Sequence, residues 1–240
     1  EDLGLVYAAP DLAVARIGTI HQDRSLPAYI LVDELLGKHF AVLGTTGTGK
    51  SCAVALILRT ILAEHKNGHI VLLDMHNEYA HAFGDSAEIL TPKTFELPYW
   101  LLTFEEIEEI VLAGSRDRHT ESNILGEVIL AAKRLFPGGK HDPNLVTVDT
   151  PFPYRWGDVD HLIDQAAGSL DKGQNPSSYL RVKARLKALR SDPRFGFLFP
   201  ALSTRDNMER ILSRLFRIPV AGKPLTIVDL SAIPSEILNV

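Results

Sequence analysis

One short segment restricts the possible folds of this chain more than any other feature. Residues 44–51 read Gly-Thr-Thr-Gly-Thr-Gly-Lys-Ser and match the pattern G-x-x-x-x-G-K-[ST] at every fixed position. The mostly apolar run 39–43, a predicted strand, precedes the segment, and a predicted helix over 50–65 follows it, as the pattern requires. A glycine-rich turn that caps a buried helix is the alternative, and this context disfavours it. The segment therefore predicts a phosphate-binding loop in an α/β protein.

The residue types in this segment suit the binding of ATP with Mg²⁺. Glycines allow successive backbone N–H groups to converge on phosphate oxygens, where a Cβ atom would intrude. The helix that starts near Lys50 adds the positive end of its dipole and its unpaired N–H groups. Lys50 is predicted to reach the β- and γ-phosphates, and the Ser51 hydroxyl to complete the Mg²⁺ shell. The predicted nucleotide-binding residues are Gly44, Thr45, Thr46, Gly47, Thr48, Gly49, Lys50, Ser51 and Cys52, and the Cys52 side chain is predicted to be a small core residue.

Two acidic residues follow the next predicted strand. Asp74 ends the strand predicted over 69–74, at the carboxyl edge of the sheet, where ligands of open α/β sheets bind. A carboxylate there can hold Mg²⁺ through water or orient a nucleophilic water, and Glu78 offers a second carboxylate near the same edge. The alternatives are that Asp74 only caps the following turn and that Glu78 is only solvated. We predict Lys50, Asp74 and Glu78 as catalytic residues, and Ser51 and Asp74 as metal ligands.

Strand-like and helix-like patterns alternate along the chain. Two short strands are predicted over 12–20 and 28–32, and the span 39–74 predicts a strand, a helix and a strand, which is a βαβ unit with a right-handed crossover. The helix of that unit is apolar nearly all round in its first two turns, so we expect it to be buried between the sheet and another layer. The remaining predictions are a helix that Thr103 opens with a capping box, helices at 120–136, 159–167, 177–190 and 203–216, and short strands at 145–148 and 225–229.

Composition excludes several classes of protein. The chain is 45% hydrophobic and 23% charged, unlike a disordered chain, and its single cysteine rules out a disulfide framework and favours a reducing compartment. The longest apolar run, Cys52 to Leu58, is far shorter than the roughly 18 residues that cross a bilayer, so we expect no membrane partner. A net charge of −5 argues by itself against a dedicated nucleic-acid binder.

The positive charges are nevertheless concentrated in one stretch. Ten basic and three acidic residues lie between Tyr179 and Arg217. These cations could follow a DNA backbone, with each phosphate contact contributing through counterion release. An apolar stripe at helical spacing leaves the cations on the other face of the helix, where they could equally be solvated or contact another subunit; the stripe consists of Tyr179, Val182, Leu186 and Leu189.

Four segments resemble the HerA branch of the FtsK–HerA ATPases, the DUF87-type domain. They are residues 44–51, Leu-Asp-Met-His-Asn-Glu-Tyr at 73–79 and, less specifically, Leu-Pro-Tyr-Trp at 97–100 and Val-Asp-Leu-Ser at 228–231, so that the resemblance covers most of 30–240. It implies an α/β fold of the RecA-like P-loop NTPase type, with a mostly parallel sheet flanked by helices. It also implies a hexameric, cytoplasmic, ATP-driven translocase or helicase on double-stranded DNA, which works with a nuclease or other effector protein in DNA-end processing or antiviral defence.

The same resemblance implies a division of the chain, and three functional hypotheses are open. Residues 1–33 look like the tail of the small β-barrel that precedes the ATPase core, and 34–240 look like that core with a helical insertion at about 103–217. The family carries its catalytic glutamate in a later hydrophobic strand and a trans-acting arginine beyond it; no such strand precedes Val240, so we expect a partial chain, truncated at its C-terminus. The first hypothesis is a DNA motor. The second is a nucleotide-gated ring that scaffolds an effector without DNA translocation, and a P-loop kinase for a small substrate is a third.

Overall fold

The chain divides into two compact units. The computed structural model describes residues 2–137, 142–169, 176–199, 208–218, 220 and 222–238. Unit 1 comprises residues 1–89 and 212–229, and unit 2 comprises residues 90–211 and 230–240. Within the described ranges, no helix is both long enough and apolar enough to cross a membrane. The predicted division into 1–33 and 34–240 stays a prediction.

Unit 1 is an α/β unit. Its strands are β1 (Val14–Thr19), β2 (Pro27–Leu31), β3 (Ile70–Asp74), β4 (Ala87–Leu90, whose last residue begins unit 2) and β5 (Leu225–Asp229). Its helices are α1 (Asp2–Val6), α2 (Val32–Leu36), α3 (Lys50–Glu64) and α4 (Ala80–Phe83). The strands predicted over 12–20, 28–32, 69–74 and 225–229 and the helix predicted over 50–65 are therefore confirmed, with bounds that differ by at most a few residues.

The larger sheet of unit 1 has the strand order β3-β5-β4. Strands β3 and β5 run parallel, with Ile70 opposite Leu225 and Asp74 opposite Asp229. Alternate residues of a strand point to the same face, and Ile70 and Leu72 of β3 pack with Leu225 and Ile227 of β5 in one core. That core contains Ala55, Leu58, Phe83, Ala87, Leu225 and Ile227, which come from α3, α4 and the strands. The predicted α/β class, with a parallel sheet flanked by helices, is confirmed.

The strand predicted over 39–43 is wrong in this structure. Residues 39–45 have no regular secondary structure, and the side chains of Phe40 and Leu43 are 49% and 89% exposed. A strand needs a neighbour for its backbone N–H and C=O groups, and no ladder reaches this segment among the described residues. Apolar composition alone does not supply that neighbour. The predicted βαβ unit is therefore represented by its helix and its second strand.

Helix α3 is less buried than its composition predicts. Ala55, Leu58 and Ile61 are buried, whereas Leu56 is 48% exposed and Cys52 is exposed as well. Ala55 and Leu58 pack on the sheet, and Ile57 and Ile61 pack against the hairpin β1–β2, but the side of the helix with Cys52 and Leu56 is exposed. The predictions that the first two turns are buried all round and that Cys52 is a core residue are therefore wrong.

The hairpin β1–β2 packs against the other end of α3. The two strands pair antiparallel from Val14 opposite Leu31 to Thr19 opposite Pro27. A small core of Ala15, Val32 and Ile61 joins the hairpin and α2 to the last turns of α3. A two-stranded hairpin is marginal alone, and this contact gives it a buried face.

Unit 2 is helical. Its helices are α5 (Phe104–Val111), α6 (Arg118–Leu135), α7 (Trp156–Ser169), α8 (Pro176–Ser191) and α10 (Ser235–Leu238), while α9 (Met208–Phe216) belongs to unit 2 up to Ile211 and to unit 1 from Leu212. The predicted capping box of α5 is present, because Thr103 and Glu106 cap each other's backbone N–H groups. The first residues of the helix predicted over 203–216 lie outside the described residues.

The strand predicted over 145–148 is wrong. A 3₁₀ turn occupies Pro143–Leu145, and Val146 to Thr150 are irregular. The buried ammonium of Lys133 replaces a neighbouring strand as the partner of this segment, donating to the carbonyls of Val148 at 2.5 Å and Thr150 at 2.7 Å. A side chain from α6 therefore satisfies backbone groups that a β-ladder would otherwise have to satisfy.

Candidate nucleotide-binding site

The segment 44–49 forms an exposed loop that enters α3, and its glycines are needed for specific reasons. Gly47 and Gly49 have φ angles of +82° and +88°, in the left-handed region that other residues rarely adopt. Gly49 is also the N-cap residue of α3. At Gly44 a Cβ atom would lie 2.5 Å from Thr48 Oγ1, so the close approach of Thr48 requires the absence of a side chain. The local conformation is thus one that the predicted phosphate-binding pattern specifies.

Lys50 and Thr48 both bond to the loop backbone. Lys50 Nζ donates to the Thr45 carbonyl oxygen at 2.7 Å, and Thr48 Oγ1 donates to the same oxygen at 2.7 Å. The ammonium group therefore lies at the loop. An ammonium has three donors and no acceptor, so this position also suits an anionic oxygen.

Asp74 lies where β3 ends, and its carboxylate organises the loop after that strand. The residue is 2% exposed. Its Oδ1 accepts hydrogen bonds from the N–H groups of His76 at 3.3 Å and Glu78 at 3.1 Å, and its Oδ2 accepts one from Tyr79 at 3.0 Å. Asn77, between these donors, has a φ of +54°, which Asn tolerates better than most residues. Both carboxylate oxygens are thus engaged with backbone donors.

Glu78 is brought onto the phosphate-binding loop by this turn. Ser51 Oγ donates a hydrogen bond to Glu78 Oε2, although the two residues lie 27 positions apart. The sequence predicted both residues for the site but not their direct contact, nor the Thr45 carbonyl as the partner of Lys50. The sequence signal for the contact between Ser51 and Glu78 is the spacing of Glu78 from the end of β3. That spacing lets a loop capped by Asp74 turn back toward α3.

The oxygens at this position suit Mg²⁺. That ion prefers hard oxygen ligands, keeps several waters and is usually held by one or two carboxylates together with phosphate oxygens. Ser51 offers a hydroxyl oxygen and Glu78 a carboxylate, both beside the loop. No group of three or more His, Cys, Asp or Glu side chains with metal-binding geometry occurs in the described part of the chain.

The basic stretch is the other candidate binding surface, and most of its described cations are in ion pairs. The pairs in unit 2 are Arg181–Glu121, Arg181–Asp117, Arg185–Glu121, Lys183–Asp164, Arg190–Asp160, Arg194–Asp192 and Arg210–Glu96. Val182 and Leu186 are fully buried, so the predicted apolar stripe of α8 is confirmed. Arg205 lies outside the described residues. Carboxylates, all but Asp192 from outside the stretch, therefore pair with most of the described cations of this stretch.

Sequence comparisons place these features in a known family. A family model described as "Helicase HerA, central domain" matches residues 15–240. The chain is 43% identical over 65 residues to the "DNA double-strand break repair helicase HerA" of Pyrococcus furiosus, a match that covers 27% of this chain and 12% of that protein. It is 31% identical over 88 residues to the "Probable DNA double-strand break repair helicase HerA" of Methanocaldococcus jannaschii, covering 37% of this chain and 17% of that protein.

The aligned parts span less than a third of these relatives' lengths. A third relative, an uncharacterised protein of Aquifex aeolicus, is 31% identical over 74 residues, covering 30% of this chain and 27% of that protein. The family match, in contrast, extends over both units. This chain belongs to the family of the HerA helicase central domain.

Proposed function

We propose that this chain is the ATP-binding domain of a ring-forming motor that moves along double-stranded DNA. The observation that carries the proposal is the hydrogen bond from Ser51 to Glu78, because it joins the phosphate-binding loop to a carboxylate from the carboxyl end of β3. The family match and the names of the two archaeal relatives support ATP-dependent action on DNA. The fold alone would not decide among the many activities of α/β proteins.

The loop residues bind and orient the nucleotide. Backbone N–H groups of 44–51 and the dipole of α3 receive the phosphates. Lys50 exchanges its bond with the Thr45 carbonyl for bonds to the β- and γ-phosphate oxygens, where its charge stabilises the negative charge of the transition state. Ser51 directs its hydroxyl hydrogen toward Glu78, so the lone pairs of its oxygen stay available to Mg²⁺. When bound, Mg²⁺ would neutralise charge on the phosphate oxygens.

Asp74 acts through the loop that it caps. Its oxygens accept three backbone hydrogen bonds, so we propose it as a positioning residue for Glu78 instead of the metal ligand that the sequence predicted. The activating glutamate and the trans-acting arginine implied by the family resemblance are not assigned to any residue of this chain. We propose that neighbouring subunits of a hexameric ring complete each site, in the cytoplasm, and that a nuclease or other effector protein acts with the ring.

Measurement of ATP turnover with and without linear duplex DNA tests this function. The motor predicts that DNA accelerates turnover, and that Lys50→Ala lowers turnover roughly tenfold or more because it removes bonds from a charged donor. Lys66→Ala, which removes an exposed lysine of the same unit, is the control and keeps wild-type turnover. Nucleotide-dependent ring assembly without DNA stimulation would favour the scaffold instead, and phosphate transfer to a small acceptor would favour the kinase.

A further inference from the structure

One backbone oxygen of the nucleotide-binding loop accepts hydrogen bonds from three donors. Lys50 Nζ and Thr48 Oγ1 each donate to the Thr45 carbonyl at 2.7 Å, and the Thr48 N–H group donates to the same oxygen at 3.4 Å. A carbonyl oxygen has two lone pairs, which the two short bonds suit. The N–H contact is longer than the usual range of about 2.7–3.2 Å and is therefore weak. The Thr45 carbonyl is thus a common anchor for Lys50 and Thr48.

The conformation of the loop brings Thr48 back onto Thr45. Residues 45–48 form a turn in which Gly47 is the third residue, with a φ of +82°. The third position of a type II turn needs such an angle, and glycine adopts it without strain. A threonine can bond through its hydroxyl to the carbonyl three residues earlier, as Thr48 does. The hydroxyl therefore reinforces a turn that the backbone bond closes only weakly.

The first glycine of the loop leaves the space that this hydroxyl needs. A Cβ atom on Gly44 would lie 2.5 Å from Thr48 Oγ1, which is too close, but 3.6 Å from Thr48 Cβ, which is an ordinary contact. The φ angle of Gly44, unlike those of Gly47 and Gly49, lies outside the left-handed region, so its backbone does not require glycine. Room for the Thr48 hydroxyl is the structural reason for a glycine at this position.

Nucleotide binding changes the bonds of the Thr45 carbonyl. When Lys50 exchanges this carbonyl for phosphate oxygens, the carbonyl loses one of its two short bonds. A carbonyl with no donor would lose its remaining hydrogen bond and leave a bare partial negative charge beside the anionic nucleotide. Of the two donors that stay, the Thr48 hydroxyl makes the shorter bond. The hydroxyl therefore contributes more in the bound loop than in the empty loop, where Lys50 also bonds to the carbonyl.

We propose that Thr48 is a positioning residue of the nucleotide site, whose hydroxyl holds the Thr45 carbonyl while Lys50 bonds to the phosphates. This role rests on the proposed function, because it requires a nucleotide in the loop. Thr48 acts through the loop backbone: its hydroxyl keeps the turn 45–48 closed, and that turn leads directly into the N–H groups at the start of α3.

Calorimetric titration with Mg·ADP tests this role. Thr48→Val keeps the branched shape and removes the hydroxyl, and Thr48→Ser keeps a hydroxyl. Thr60→Val is the matched control, because it removes from a later turn of α3 a hydroxyl that donates to the Leu56 carbonyl at 2.9 Å. We expect Thr48→Val to weaken Mg·ADP binding about fivefold, the ratio that corresponds to one ordinary hydrogen bond. We expect Thr48→Ser and Thr60→Val to bind within about twofold of the wild type.

A double-mutant cycle with Gly44 gives a second measurement. Gly44→Ala should weaken Mg·ADP binding, because the new Cβ atom forces the Thr48 hydroxyl away from the Thr45 carbonyl. In Thr48→Ala the hydroxyl is already absent, so the further change Gly44→Ala should weaken binding little more. If the losses from the two substitutions simply add, Gly44 and Thr48 act independently, and the proposed role of the hydroxyl is overturned.

The titrations separate a failure of this role from a failure of the proposed function. If the wild type binds Mg·ADP and Thr48→Val binds it equally tightly, the role of Thr48 is overturned and the proposed function stands. The same holds if Thr48→Ser binds as weakly as Thr48→Val, since the hydroxyl is then not the group that matters. A wild type that does not bind Mg·ADP contradicts the proposed function, and the role of Thr48 with it.

Discussion

Replacement of Asp74 by Asn separates its structural role from the role of a metal ligand. The carboxylate is buried and accepts backbone N–H groups from His76, Glu78 and Tyr79 at 3.0–3.3 Å. An Asn side chain has one acceptor oxygen, so its NH₂ group must face one of these donors. One charge-assisted hydrogen bond is lost and the other two lose their charge, which together costs about 3 kcal/mol.

Amide hydrogen exchange measures the loss of stability within unit 1 itself. Both tryptophans, Trp100 and Trp156, lie in unit 2, so their fluorescence does not report on unit 1. We expect Asp74→Asn to speed amide exchange in β3 and β5 about a hundredfold, the ratio that corresponds to roughly 3 kcal/mol. We also expect it to weaken Mg·ATP binding, because Glu78 is no longer held beside Ser51.

Glu78→Gln is the matched comparison. Glu78 is exposed, so we expect this variant to keep the wild-type free energy of exchange within about 0.5 kcal/mol. We expect it to weaken ATP binding in the presence of Mg²⁺ and not in its absence. Wild-type exchange protection in Asp74→Asn, combined with a selective loss of Mg²⁺-dependent binding, would refute the positioning role and restore Asp74 as a metal ligand.

Three further predictions concern other parts of the chain. Gly49→Ala places a Cβ at a φ of +88°, so it should lower the free energy of unfolding by about 1–2 kcal/mol and weaken nucleotide binding. Gly18→Ala, at an open site, should do neither, and calorimetry measures both quantities for the two variants. Glu121→Gln leaves Arg181 and Arg185 without their buried carboxylate and should lower the free energy of unfolding of unit 2 by about 2 kcal/mol. Urea unfolding followed by tryptophan fluorescence measures this, and an unchanged midpoint contradicts it. Burial lowers the pKa of Lys133 to about 8, so between about pH 8 and 10.5 the unfolded chain binds more protons than the folded chain. The stability of unit 2 should therefore rise with pH in that window, and a flat or falling stability profile contradicts this.

Acid should affect the same unit through Glu121. Burial acts to raise the pKa of Glu121, but hydrogen bonds from Arg181 and Ser115, together with the charges of Arg185 and Arg181, hold that pKa below its usual value of 4.5. The stabilisation from this carboxylate is therefore complete at neutral pH and is lost as the pH falls through the lowered pKa.

The parts of the site that the sequence predicted are those that local chemistry determines. Positive φ at Gly47 and Gly49 and the start of α3 at Lys50 follow from residue types at fixed spacing. The contact between Ser51 and Glu78 could not be derived in the same way. It depends on how the turn after β3 folds, and that turn is decided by three backbone bonds to Asp74.

The fold shows the same division between local and distant causes. The capping box at Thr103 and the apolar stripe of α8 are periodic signals and were predictable. The segment 39–43 has the composition of a strand, but a strand exists only with a partner, and composition does not reveal one. The basic stretch was ambiguous for a related reason, because its carboxylate partners lie far away in sequence, as Glu121 lies 60 residues from Arg181.

Amide chemical shifts on titration with Mg·ADP test the central claim most directly. If the backbone N–H groups at the start of α3 hold the phosphates, the resonances of Gly47, Gly49, Lys50 and Ser51 shift together and saturate. Lys50→Ala then lowers the affinity for Mg·ADP without unfolding the protein. Resonances that stay unchanged at saturating Mg·ADP, or that shift equally in Lys50→Ala, would contradict the claim.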